Sequence, residues 1–150
     1  MYQKILVPLD GSGTAERGLA EAVRLAAAFN SSLVLLHVID DFPMSLEMAS
    51  VQAYEETMQR LRSFGQKLLD SAAATAQAAN VPAQTRLREI TSERVGRAII
   101  DEARNNGCGL IVMGTHGRRG FNRVMMGSDA EFVARASPVP VLLVRSGVEG

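Results

Sequence analysis

Cysteine is almost missing from this sequence: Cys108 stands alone among 150 residues. One thiol excludes an intramolecular disulfide and any zinc site built on several cysteines. Sparing use of cysteine fits a reducing compartment, so a cytoplasmic location is expected. Histidine is scarce too, with only His37 and His116, and so few ligands set so far apart argue against a structural metal site. No charge of one sign prevails. The 16 basic and 16 acidic residues cancel to a formal net charge of zero, which leaves no broad basic footprint for nucleic acid. No apolar run nears the roughly 18 residues that cross a bilayer. The apolar start, Ile5 to Val7, is short and enters a glycine turn instead of a cleavage site. Neither a membrane span nor a signal peptide is expected.

Three site signatures are lacking as well. No Gly-Lys-Ser/Thr follows a glycine cluster, so there is no P-loop lysine. The first strand is not followed by Gly-x-Gly-x-x-Gly, which disfavours a dinucleotide. Ser128 follows a glycine but has no Gly-x-Ser-x-Gly elbow, which disfavours a Ser128–His116–Asp10 triad.

What is present suits a soluble domain. The composition is 47% hydrophobic and 21% charged, and a chain of this length buries about 70% of its unfolded surface. One domain over residues 1–150 is expected, with 147–150 a frayed tail.

Apolar runs alternate with helical patterns. Ile5 to Leu9 reads as a strand buried on both faces, with Pro8 loosening its end and Asp10-Gly11 turning the chain. A helix follows over about 14–30, with Ala15, Leu19, Ala22, Ala26 and Phe29 on one stripe and Ser12 or Thr14 as its cap. Leu33 to Ile39 is a second strand, and 43–50 a loop. Residues 51–80 repeat Val51, Tyr54, Met58, Leu61, Gly65, Leu68, Ala72 and Ala79 at helical spacing. Gly65 costs that helix about 1 kcal/mol against alanine. Gln84 to Ile90 alternates, as a strand near a sheet edge does. Ser92 would cap a helix through Val95, Ile99, Ile100 and Ala103 that ends at Asn106-Gly107. Gly109 to Met113 is a fourth strand. Ser128 starts a short helix with Phe132, Val133 and Ala136 inward, and Val141 to Val144 is a fifth strand. The alternation specifies an α/β fold, a doubly wound parallel sheet with helices on both faces, and its ligand crevice lies at the carboxyl ends of the strands. His37, inside a strand, reads as a core or interface residue. Cys108 reads as a small buried hydrophobe, and Met113, Met125 and Met126 as core filling.

The stretch between the fourth strand and the last helix carries the chemistry. Gly114, Gly117 and Gly127 let a backbone approach a ligand, and a helix beginning at Ser128 directs free N–H groups toward an anion. Arg118, Arg119 and Arg123 lie between. If the first and fourth strands are neighbours, Asp10 faces this stretch.

The pattern Gly114-x2-Gly117-x9-Gly127-Ser128 resembles the ATP-binding signature of the universal stress protein family. So do Val7-Pro8-Leu9-Asp10-Gly11-Ser12 and Pro138-Val139-Pro140-Val141-Leu142-Leu143-Val144. The resemblance runs along essentially the whole chain. It implies strand order 3-2-1-4-5 and ATP lying across strands 1 and 4. It further implies Pro8 and Asp10 at base and ribose, Val38 and Met113 on adenine, and Gly114 beside the ribose. Gly117, Gly127 and Ser128 would hold the phosphates, with His116 and Arg118 or Arg119 nearby. Asp129 departs from the neutral residue many members carry there. A carboxylate in that place suits the helix dipole but would either repel a triphosphate or hold its Mg²⁺.

Pro138 and Pro140 confine the final strand to an edge, and its apolar Val141 to Val144 needs a cover. A homodimer through that strand supplies one, and the resemblance implies it too. Three functional readings stay open. The first is an ATP-binding regulatory module of the stress response, not an enzyme, with further protein partners. The second is a slow Mg²⁺-dependent ATPase or nucleotidyl hydrolase using His116 and Asp129 or Asp10. The third is a partner-binding homologue with an empty site.

Overall fold

A strand apolar at consecutive positions must be covered on both sides. In β1 (Lys4–Pro8), Ile5, Leu6 and Val7 are each 0% exposed. The computed structural model describes residues 2–41, 50–116 and 126–145. After β1 come α1 (Gly13–Phe29), β2 (Ser32–Asp40), α2 (Val51–Ala78), β3 (Ala83–Ile90), α3 (Val95–Asn105), β4 (Leu110–Gly114), α4 (Ser128–Ala136) and β5 (Val141–Val144). The strands form one parallel sheet ordered β3-β2-β1-β4-β5. Fold class and strand order are those expected.

The period of two along each strand divides the core into two layers. Ile5, Val7, Leu33, Leu35, Leu110 and Val112 face α1 and α2, meeting Leu19, Ala22, Leu69 and Ala76. Leu6, Val34, Leu36, Ile111 and Met113 face α3 and α4, meeting Ile99, Ile100, Ala103 and Val133. Each fully buried aliphatic chain contributes about 1.5–3 kcal/mol. The order reverses between β1 and β4, and β1 pairs with β4 only through Ile5 and Leu6. Beyond those residues the two strands part and open a crevice.

Several details differ from the sequence reading. Phe29 is 43% exposed, because α1 ends there and Asn30 turns left-handed (φ 57°). Val51 is 81% exposed and Ala79 lies past the end of α2; the helix outruns the sheet, so periodicity persists where nothing covers it. Ser50 caps α2 by accepting from the Ala53 N–H at 3.1 Å. The cap residue of α3 is Arg94, which makes no side-chain cap bond, and Ser92 lies outside the helix. α4 does start at Ser128 as expected, with Gly127 as its cap. Ala136 and Met126 are exposed, whereas Met113 is core. Met125 lies outside the described residues, as do 43–49 of the expected loop and the expected tail at 147–150.

Other expectations hold. Ser12 caps α1, accepting from Ala15 N–H at 3.2 Å. β3 is an edge strand. His37 is buried. Cys108 is 5% exposed, and burial pushes its thiol up to about 11. Gly65 has a packing reason to interrupt α2: a Cβ there would stand 2.6 Å from His37 Cδ2 and 2.9 Å from a Leu87 methyl.

Candidate functional site

The crevice where β1 and β4 part widens into a cavity of about 640 Å³, a size suited to a small-molecule ligand. Strand ends supply Pro8, Val38, Asp40, Met113 and Gly114, and the turn after β1 supplies Leu9, Asp10 and Ser12. Helix starts supply Glu93, Arg94 and Val95 beside α3, and Gly127, Ser128 and Asp129 at α4. Leu36, Val38, Val95, Ile99, Met113 and Ala130 make an apolar wall. The same cavity is lined by the carboxylate residues Asp10, Asp40, Glu93 and Asp129, with Arg94 and His116 as the basic groups among the described lining residues.

Local chemistry builds each part. At the end of β1, Asp10 Oδ1 accepts from Ser12 N–H at 2.9 Å, an Asx turn. Gly11 between them takes φ +86°, which favours glycine. The turn thus presents Asp10 at the rim while Ser12 starts α1. After β4, the His116 carbonyl accepts from the Thr14 hydroxyl, tying α1 to the site. The His116 ring places Nδ1 3.0 Å from Thr115 Oγ1, and its buried Nε2 has no partner among the described residues. With Nδ1 facing a hydroxyl and not a carboxylate, this histidine lacks the orienting group of a hydrolytic triad.

α4 starts from a braced position. Gly127 N–H donates to the Thr115 carbonyl at 2.7 Å, and Thr115 N–H donates to Val144 O at 3.0 Å. Gly127 therefore spends its amide inside the protein. The first intrahelical bond runs from Glu131 N–H to Gly127 O. The amides of Ser128, Asp129 and Ala130 thus occupy the first turn, where N–H groups have no intrahelical acceptor and the dipole favours an anion.

Gly114 also has an internal reason to be glycine. A Cβ there would lie 2.7 Å from Thr14 Oγ1 and 2.8 Å from both Cβ and the carbonyl carbon of Thr14. The first turn of α1 rests directly on the end of β4.

The site thus brings together Pro8, Asp10, Val38, Met113, Gly114, His116, Gly127, Ser128 and Asp129 of the expected set. Gly117, Arg118 and Arg119 lie outside the described residues, as does Arg123. Sequence reasoning missed Asp40, Glu93 and Arg94 as site residues. Asp40 was within reach of the rule that ligands bind at strand carboxyl ends. Glu93 and Arg94 arrive with α3, whose placement only the packed sheet reveals. No group of three His, Cys, Asp or Glu side chains able to hold a metal occurs among the described residues.

Asp129 has a raised pKa. Partial desolvation at the cavity rim, where the residue as a whole remains exposed, is the main cause, with the Asp10 carboxylate next; Arg94 and the Gly96 amide pull it back down, and Asp40 adds a smaller push up. Gly96 belongs to the first turn of α3, whose cap residue makes no side-chain bond. Asp129 therefore serves the start of α3 from across the helix pair. A carboxylate with a raised folded-state pKa contributes stability at low pH that is lost as pH rises through that value. Asp129→Asn keeps an oxygen toward Gly96 and removes the charge. It is expected to raise the melting temperature at pH 7 by about 1–2 °C, a small effect because the residue is exposed. The gain should vanish as pH falls below about 4, where the native aspartate is neutral too. Thermal melts of both proteins from pH 3 to 8 check this; a gain that persists at pH 3 would contradict the assignment.

Comparison with known proteins agrees with this architecture. The model of the Universal stress protein family matches residues 1–145. Universal stress protein YxiE of Bacillus subtilis is 30% identical over 151 residues, covering 97% of this chain and 100% of its own. A structure from the universal stress protein family of Burkholderia pseudomallei is 34% identical, with a TM-score of 0.77 and 97% of each chain covered. The structure of protein MJ0577, 26% identical, superposes with a TM-score of 0.84 over 98% of each chain. The fold alone is shared with a universal stress protein solved in complex with cAMP (23% identity, TM-score 0.66). It is likewise shared with one from Archaeoglobus fulgidus solved with dAMP (20% identity, TM-score 0.67). The chain belongs to the universal stress protein family.

Proposed function

We propose that the cavity holds an adenine nucleotide, ATP in the first instance, and that its occupancy is the signal of a stress-response regulator. One observation carries this reading. A single crevice joins an apolar wall fit for a base, a carboxylate at the end of β1 and the open amides of a helix start. In this reading Val38 and Met113 flank adenine, with Pro8 beside the base and ribose. Asp10 accepts from ribose hydroxyls next to Gly114. Ser128 and the amides behind it take the phosphates, with Arg94 and His116 near them and Gly117, Arg118 and Arg119 on the approach. The cAMP and dAMP bound to proteins of the same fold support the nucleotide class.

Mg²⁺ accompanies the phosphates. Asp10 and Asp129 are hard oxygen donors of the kind it favours. With no three-residue metal cluster among the described residues, the phosphates themselves would be its chief ligands.

The protein acts in the cytoplasm as a homodimer through β5, with further protein partners reading its state. β5 is an edge strand, its Leu142 is 39% exposed, and a second copy of the strand would cover both. Sedimentation of a monomer at micromolar concentration would remove the dimer.

The test of the nucleotide is direct. Mass spectrometry of protein purified without added ligand, followed by calorimetry with ATP, ADP, AMP and cAMP, should find ATP bound most tightly and more weakly after EDTA. Absence of binding by all four at millimolar concentration would favour a partner-binding protein with an empty site. A second reading, slow Mg²⁺-dependent hydrolysis, draws on His116 Nε2 in the cavity wall, which has no partner among the described residues. Single-turnover hydrolysis well above background, abolished by His116→Ala with binding intact, would replace the regulatory reading with that one.

A further inference from the structure

Asp10 is held at the rim of the cavity by its two neighbours in sequence, and both are gripped from outside the site. Leu9 continues the pairing of β1 with β2, its N–H donating to Leu36 O at 2.7 Å. Its carbonyl then meets the side chain of His37, whose Nδ1 lies 2.7 Å away. A carbonyl only accepts, so Nδ1 carries the proton and the tautomer is fixed. On the other side of Asp10, Gly11 lies against Phe64: a Cβ there would stand 3.3 Å from Phe64 Cζ. Phe64 also meets the His37 ring edge-on, with centroids 6.0 Å apart at 67°. The closeness of Gly65 to His37 Cδ2 leaves the imidazole no room to swing toward α2. His37 is 8% exposed and does not line the cavity.

We propose that His37 is a positioning residue: its Nδ1–H holds the Leu9 carbonyl and, braced by Phe64 and Gly65 of α2, fixes the turn that aims Asp10 at the ligand. A buried histidine satisfied by one backbone bond would suffice for packing alone. What points beyond packing is where the bond falls. It lands on the residue immediately before Asp10, and the ring that braces it also touches the residue immediately after. The middle of a long helix that contributes nothing to the cavity wall therefore sets the geometry of the rim. The inference rests on the nucleotide reading for its effect on affinity, but its structural content does not.

The test uses three variants of the full chain. His37→Asn places an amide N–H near the position of Nδ1, His37→Gln places one nearer Nε2, and His37→Leu has none. ATP affinity is expected to fall about tenfold in His37→Leu and His37→Gln and to stay within about threefold of the parent in His37→Asn. In an Asp10→Ala background, His37→Leu should weaken ATP no further, because its effect passes through Asp10. Equal losses in the asparagine and glutamine variants, or a full extra loss in the Asp10→Ala background, would overturn the proposal and leave His37 a packing residue.

A second readout needs no ligand. Hydrogen exchange at the Ser12 amide, which reports its bond to Asp10, should quicken in His37→Leu and His37→Gln and not in His37→Asn. If the parent protein binds no adenine nucleotide, the nucleotide reading fails and this exchange pattern still decides the role of His37. If His37→Leu fails to fold, the asparagine and glutamine pair carries the comparison.

Discussion

Gly114→Ala should lower the free energy of unfolding by about 2–3 kcal/mol, the upper part of the range for overpacking a tight core. One added methyl is enough because of what it meets. The new carbon would lie 2.7 Å from Thr14 Oγ1 and 2.8 Å from Thr14 Cβ and the Thr14 carbonyl carbon, and one of those three is backbone. A rotamer change in Thr14 moves only the oxygen. Relief then requires α1 to withdraw from β4. Gly18 opposes this, because the same helix rests against Gly114 N there, at 3.4 Å from where a Gly18 Cβ would be. Withdrawal also strains the bond from the Thr14 hydroxyl to the His116 carbonyl, so nucleotide affinity should drop with stability. Urea denaturation checks the first effect. Thr14→Gly in the same chain should restore only part of the loss, since the carbonyl carbon remains. An unchanged midpoint in Gly114→Ala would mean that the two elements separate easily and that Gly114 is glycine for the ligand alone.

Asp10→Ala is expected to do the reverse: a large loss of binding with little loss of fold. ATP affinity should weaken about a hundredfold, equivalent to about 2.7 kcal/mol, as expected if the proposed charged acceptor for the ribose hydroxyls is lost. Stability should fall by about 1 kcal/mol, because the carboxylate also accepts from Ser12 N–H and holds the Asx turn. Asp10→Asn separates the two roles. It keeps an acceptor for Ser12 and so the turn, but offers ribose a neutral oxygen, and its affinity should lie between the others. Calorimetric titration with ATP decides it. If Asp10→Ala bound ATP as tightly as the parent, the nucleotide would lie elsewhere in the cavity, or the cavity would not be its site.

The sequence carried the fold where physics acts locally and continuously. β1, β2 and β4 are apolar at consecutive positions, and only a strand covered on both faces uses such a run. The ends of helices were less legible. Val51 and Ala79 keep the period of α2, yet the sheet beneath does not reach them. Periodicity describes a stripe and is silent on where its cover stops. Ser92 has the chemistry of a cap, but the backbone enters α3 at Arg94, with Asp129 of α4 facing that first turn, a contribution from 35 residues downstream that no local pattern contains.

The site divides along the same line. Asp10, Met113 and Gly114 are strand-end residues and could be read from the switch-point rule. Glu93 and Arg94 belong to a loop whose sequence says nothing of the crevice it overlooks. Gly114 could be identified but not fully explained, since its contact with Thr14 lies across the fold. Asp129, which looked anomalous beside a phosphate, acquires a purpose once α3 is seen next to it.

The buried Cys108 has a practical consequence. With its thiol raised to about 11 and 5% exposed, only about one molecule in 10⁴ carries a thiolate there at pH 7. Maleimide and spin-label reagents would find almost no target in the native chain. A cysteine introduced at a chosen surface position, on β5 or at the rim beside Ser128, would then react alone. Distances between the two copies of the proposed dimer, or between helix starts with and without the proposed nucleotide, become measurable without first removing a native residue.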